Sequence, residues 1–181
     1  MKERKKSDQL RLAIKSRHFN EVKELLRGGT LADTIFSDRT HSLEDYFSYR
    51  SAHKMVRLLS EKGRLSINRK DKYGHTILEV AIYKGDKNLL HYLLKERKTD
   101  VNIVTSFGMS PLCLAIKLFK QGTCDKSQGT CDKSFVIDLL QAGANWRQDK
   151  CFVIDEVEAM EYRENFSKLA SFLVKRAVFF K

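Results

Sequence analysis

Residues 71–102 read DKYGHTILEVAIYKGDKNLLHYLLKERKTDVN, and how this stretch is read decides the fold. Asp71 to Thr76 form a polar turn in which Gly74 supplies a left-handed or close-approach backbone. Thr76 stands where its hydroxyl can cap a helix beginning at the next residue. Ile77, Leu78, Ala81 and Ile82 then lay down one apolar stripe about two turns long. Gly85 ends that helix, and Leu89, Leu90, Leu93 and Leu94 repeat the stripe. Two short helices with one-sided stripes cannot bury those faces alone, so the unit needs stacked neighbours.

The neighbours are present. Gly108, Ser110, Leu112, Ala115 and Ile116 lie 34 residues after Gly74, Thr76, Leu78, Ala81 and Ile82. Pro111 takes the first helical position, where a missing N–H costs nothing. The second half of that unit returns as FVIDLLQAGAN, Phe135 to Asn145. Upstream, Val22 and Val56 are 34 apart, as are Gly29 and Gly63. A turn with Gly, then Thr/Ser-(Pro)-Leu, Ala-Ile, Leu-Leu and Gly-Ala-Asn closely resembles the ankyrin repeat, whose period is about 33 residues. The resemblance implies an all-α solenoid of about five helix-turn-helix units with connecting β-turn/hairpin loops, in one domain over residues 1–181. The units are 7–36 (an N-terminal cap), 37–68, 69–102, 103–146 with a loop insertion at 121–134, and 147–181 (a C-terminal cap).

The pattern is weakest at residues 30–45, where the Gly and Thr turn signals are missing and Leu43, Tyr46 and Phe47 stand in for the first stripe. In the insertion the seven residues Gln-Gly-Thr-Cys-Asp-Lys-Ser occur twice in succession, as expected of an exposed loop. Residues 1–8 are polar and read as frayed. Leu10, Ala13 and Ile14, then Phe19, Val22, Leu25 and Leu26, form the two stripes of the first unit. Past Trp146 the chain turns acidic, with Asp155, Glu156, Glu158, Glu161 and Glu164 on a solvated helix or a docking strip. Leu169, Phe172 and Leu173 are spaced for a closing helix, and the apolar Ala177–Phe180 either folds back or meets a partner.

The net charge of +11 is uneven. Residues 1–30 carry nine Lys/Arg against four Asp/Glu, and residues 50–75 carry eight against two. Such charge suits an acidic partner or nucleic acid, or simply a solubilised helical surface. Lys2, Arg4, Lys5 and Lys6 offer a nuclear-import patch. No run approaches the ~20 apolar residues of a membrane span. No apolar stretch follows the basic N-terminus, so cytoplasmic or nuclear location and four reduced cysteines are expected.

No catalytic constellation emerges: no nucleophile with a base, no paired carboxylates, no Gly-rich phosphate loop. Cys124 and Cys131 are seven apart and lack the short spacing of a zinc set, with pairing under oxidising conditions as the alternative to free thiols; Cys113 reads as a small buried residue, and five scattered histidines add no ligand cluster. Neither cofactor nor metal is expected, and the chain reads as non-enzymatic.

Stacking accounts for the positions that repeat; binding should lie in those that do not. The resemblance implies that the turn tips and the outer side of each first helix line a concave, protein-binding surface. By register this nominates Lys72, Tyr73, His75, Tyr83 and Lys84 in the third unit and Ser106, Phe107, Met109, Lys117 and Leu118 in the fourth, with Arg64, Arg69 and Lys70 beside them. Aromatic and Met enrichment marks interface cores, although Phe107 and Met109 equally suit packing against neighbouring turns. The expected partner is a protein with an apolar anchor flanked by acidic residues. The roles open to such a module are adaptor, regulatory or scaffold subunit, inhibitor of an NF-κB-like transcription factor, or nucleic-acid binding through residues 50–75.

Overall fold

The computed structural model describes residues 2–35, 42–47, 49, 52–96, 99–106, 108–121, 133–148 and 166–176. Phe107, the insertion from 122 to 132, the acidic run and the apolar C-terminal residues lie outside them. The helices are α1 (Lys2–Lys15), α2 (Phe19–Arg27), α3 (Glu44–Phe47), α4 (Ala52–Gly63), α5 (Ile77–Lys84), α6 (Lys87–Lys95), α7 (Pro111–Gln121), α8 (Lys133–Gln141) and α9 (Phe166–Arg176). Among the described residues there is no strand.

Two layers follow from the repeat. The first helices pack in series, α1 on α3, α3 on α5 and α5 on α7; the second helices do likewise through α2, α4, α6 and α8. α9 closes the end by packing on α8 and α7. The stripes read from the sequence are the core: Leu10, Ile14, Val22, Ile77, Ile82, Leu89, Leu90, Leu93, Leu112, Ile116, Val136 and Leu139 are all buried. Each such aliphatic side chain contributes about 1.5–3 kcal/mol when fully buried, and most of that is gained between units rather than within one. Leu43, Tyr46 and Phe47 are buried too, so the degenerate second unit keeps its core positions on a helix only four residues long.

The turns are held by polar groups in register. Asp71 N–H donates to His75 O at 2.9 Å and Gly74 N–H to Asp71 O at 3.0 Å; 34 residues on, Thr105 donates to Met109 and Gly108 to Thr105 at 2.8 and 3.1 Å. Thr76 caps α5 by accepting from Glu79 N–H, and Asp86 caps α6 by accepting from Leu89 N–H. A side-chain ladder joins successive turns. Asp33 accepts from Ser66 N–H (2.9 Å), Asn68 from Asp100 N–H (2.8 Å) and Asn102 from Asn145 N–H (2.7 Å). Asn102→Ala should therefore lower stability by about 1–2 kcal/mol, read as a reduced urea midpoint, because it strands a backbone donor at a junction between units.

Two expectations change, and one position gains a reason. Residues 2–8 belong to α1 and do not fray out of the helix. Gly63 is the last residue of α4, and it is glycine because two segments of the chain approach there. A Cβ at 63 would lie 2.9 Å from Ala32 Cβ and 3.0 Å from Leu26 Cδ2. The next residue, Arg64, has a positive φ of 54°. Gly63→Ala should destabilise by about 1–3 kcal/mol through overpacking between units one and two, measured by chemical denaturation. Finally, Cys113 is buried as expected but disulfide-bonded. Compartment, the ground for expecting reduced thiols, says nothing about which cysteines meet in the fold.

Candidate functional site

The turn before α5 is built on Asp71. Its buried carboxylate accepts from Leu43 N–H (2.8 Å), Tyr73 N–H (2.8 Å) and His75 N–H (2.9 Å), fixing the turn to itself and to the second unit. That geometry projects Tyr73 outward, 59% exposed, with Lys72 Nζ 4.6 Å from its ring centroid and the His75 ring 5.8 Å away.

Glu79 occupies the position of α5 where the fourth unit has Cys113, and it is buried. Its carboxylate accepts from both the N–H (3.1 Å) and the hydroxyl of Ser106 in the next turn. His75 lies between the two acids, Nδ1 3.6 Å from Asp71 Oδ2 and Nε2 3.9 Å from Glu79 Oε1. The sequence expectation of an exposed His75 is corrected to a half-buried ring, drawn in by these carboxylates.

Beside these groups is a cavity of about 170 Å³ lined by Glu44, His75, Glu79, Val80, Tyr83 and Lys84. Small-molecule sites are commonly about 300–1,000 Å³, so this one is of a size for a side chain. Tyr83 is 41% exposed at its edge, and Lys84 Nζ is 2.7 Å from Glu44 Oε1 and 5.5 Å from the Tyr83 ring centroid. Among the described residues no three His, Cys, Asp or Glu side chains are placed to hold a metal. No helix of the described residues is long and apolar enough to cross a membrane.

A profile of ankyrin repeats (3 copies) matches residues 10–105, just over half of the 181 residues. The chain belongs to the ankyrin-repeat family. No curated protein and no solved structure matches it. Ankyrin repeats are protein-interaction modules, and the all-α stack is the ankyrin architecture expected from the sequence.

Of the nominated residues, the ankyrin stack brings His75, Tyr83 and Lys84 together around the cavity, with Lys72 and Tyr73 on the adjoining turn. Arg69 is engaged elsewhere, with its guanidinium 3.3 Å from Asp33 Oδ2. Met109 is partly buried against the core and Lys117 is half-buried on α7. Leu118 is a core residue, contrary to its nomination as a surface position. Phe107 lies outside the described residues. Glu44 and Glu79 were missed. Neither is apolar, aromatic or basic, and their part in the cavity depends on how the second and third units meet.

Proposed function

We propose that this chain is a non-enzymatic adaptor, or a regulatory or scaffold subunit, that captures a partner protein on the first-helix side of its third ankyrin unit. The observation that carries the reading is the pair of exposed tyrosines, Tyr73 and Tyr83, at the turn and helix that flank the cavity. Tyrosines of this exposure contribute little to folding, and tyrosine, with tryptophan and arginine, is enriched among binding hot spots. The cavity, with Val80 among its lining residues, takes an apolar anchor, while Lys70 and Lys72, both exposed before α5, face acidic residues beside it.

The test is capture on the immobilised full chain, with bound proteins identified by mass spectrometry and the Tyr73→Ala, Tyr83→Ala double variant run in parallel. Specific partners retained by the native chain should be absent from the variant, and the two should melt together. Equal capture by both chains, or loss of capture together with loss of fold, overturns the reading.

A further inference from the structure

The first-helix face continues past the cavity toward the N-terminal unit, and its character changes there. Lys15, Tyr49 and Tyr83 share one register position, each 34 residues from the next. Lys15 Nζ sits 5.2 Å from the centroid of Tyr46, and the Arg17 guanidinium sits 4.3 Å from that of Tyr49. Lys72 on Tyr73 repeats the arrangement on the turn before α5, next to the cavity-lining His75. All three cations are exposed, and none forms an ion pair with a carboxylate among the described residues. Of the carboxylates that α3 and α5 bring here, Glu44 is engaged by Lys84 and Glu79 by Ser106, while Asp45 pairs with none of the three cations.

Arg17 is the most informative of these. Its N–H donates to Ile14 O and the following N–H of His18 to Ala13 O; Gly85 and Asp86 make the same two bonds to Ile82 and Ala81 in the third unit. Both helices thus end in the same left-handed motif, with φ of 59° at Arg17 and 65° at Gly85. A non-glycine residue is strained in that conformation, so the turn itself gives no reason for arginine here. Burial pushes the Tyr49 hydroxyl up to about 12, with Arg17 opposing that shift, so the ring beneath the guanidinium is a neutral phenol. A cation braced on an aromatic face is pre-positioned and loses little further freedom when it meets a carboxylate.

We propose that this end of the face receives an acidic polypeptide segment: its carboxylates pair with Lys15 and Arg17, its apolar side chain fills the cavity, and its far end reaches Lys72. The proposal rests on the protein-binding reading above and names the chemistry of the partner. It also moves the acidic contact to the first unit, away from Arg69, which is already paired. A nucleic acid would seek the same charges, but it also needs open aromatic faces for its bases. Tyr46 and Tyr49 are buried, and Tyr73 and Tyr83 each carry a lysine over the ring.

The experiment is fluorescence anisotropy on the full chain with three labelled probes. One is a nonapeptide with a central Leu-Trp-Leu flanked on each side by three glutamates. The second replaces the glutamates by glutamines, and the third is a twenty-nucleotide oligothymidylate. The acidic peptide should bind about tenfold or more tighter than its glutamine counterpart. The Lys15→Ala, Arg17→Gly double variant should cut that advantage to about threefold or less, the remainder being due to Lys72, and leave the glutamine peptide unchanged. Glycine at 17 preserves the left-handed turn, so the variant's circular dichroism and melting should match or exceed those of the native chain. No advantage for glutamate, or an advantage undiminished in the variant, overturns the inference while leaving the capture experiment to judge the tyrosine anchors on its own. Tighter binding of oligothymidylate than of the acidic peptide overturns it in favour of a nucleic-acid partner.

Discussion

Asp71→Ala is expected to cost about 3–5 kcal/mol of folding stability, the largest effect of any single substitution considered. The carboxylate is buried and serves three backbone donors, those of Leu43, Tyr73 and His75. Bonds to a charged acceptor contribute about 1.5–3 kcal/mol each, and donors left without an acceptor in the interior add a desolvation penalty. Against the total of about 5–15 kcal/mol typical of a domain, the loss is severe. Urea denaturation followed by circular dichroism reads it directly. Asp71→Asn is the informative companion. Its amide oxygen can keep the bonds from Tyr73 and His75, but its NH2 then faces the Leu43 N–H, donor against donor. Its cost should fall between zero and that of alanine. If Asp71→Ala costs no more than the ~0.5 kcal/mol of an ordinary surface change, the carboxylate is not what secures the turn.

The same residue shows where legibility in the sequence stops. The apolar stripes were readable because a helical face recurs at fixed spacing, and a 34-residue offset aligned Leu78 with Leu112 and Val22 with Val56 without any knowledge of contacts. Thr76, Gly85 and Pro111 were readable because capping and helix termination are local. Asp71 looked like the first residue of a turn, and nothing local shows that its second oxygen reaches Leu43, 28 residues earlier. Gly63 stood out only by its 34-residue offset from Gly29; the close approach to Ala32 that requires glycine is a tertiary fact. The candidate site divides in the same way. Tyr73, Tyr83 and Lys84 stood out by type and register. Glu44 and Glu79 did not, because a carboxylate on a helix is unremarkable until Lys84 from one unit or Ser106 from another is set against it. The tyrosine-braced cations were hidden for the same reason: Lys15 and Tyr46 are 31 residues apart and meet only through the packing of α1 on α3.

The second large effect concerns binding. Tyr73→Ala with Tyr83→Ala should weaken capture of a partner by about a thousandfold or more, because two aromatic hot spots at about 2 kcal/mol or more each sum to at least 4 kcal/mol. The cost to folding should stay near ~0.5 kcal/mol per site. Both rings are substantially exposed; the bonds that shape the turn run to the backbone N–H of residue 73 and not to its side chain. Lys84 keeps Glu44 after the Tyr83 ring is gone, so that part of the cavity wall survives while the tyrosine's own part is lost. Leu12→Ala is the matched control. Leu12 is 65% exposed on α1 and does not line the cavity, so removing it tests whether loss of any exposed apolar group gives the same result. Affinity unchanged by Leu12→Ala and lost with the tyrosines places the anchor at the third unit. Equal losses from both would mean that capture follows general surface hydrophobicity, and the third unit would have no special claim. The two tyrosines should also be less than additive if one partner side chain touches both rings, since the first truncation already opens the contact that the second would remove.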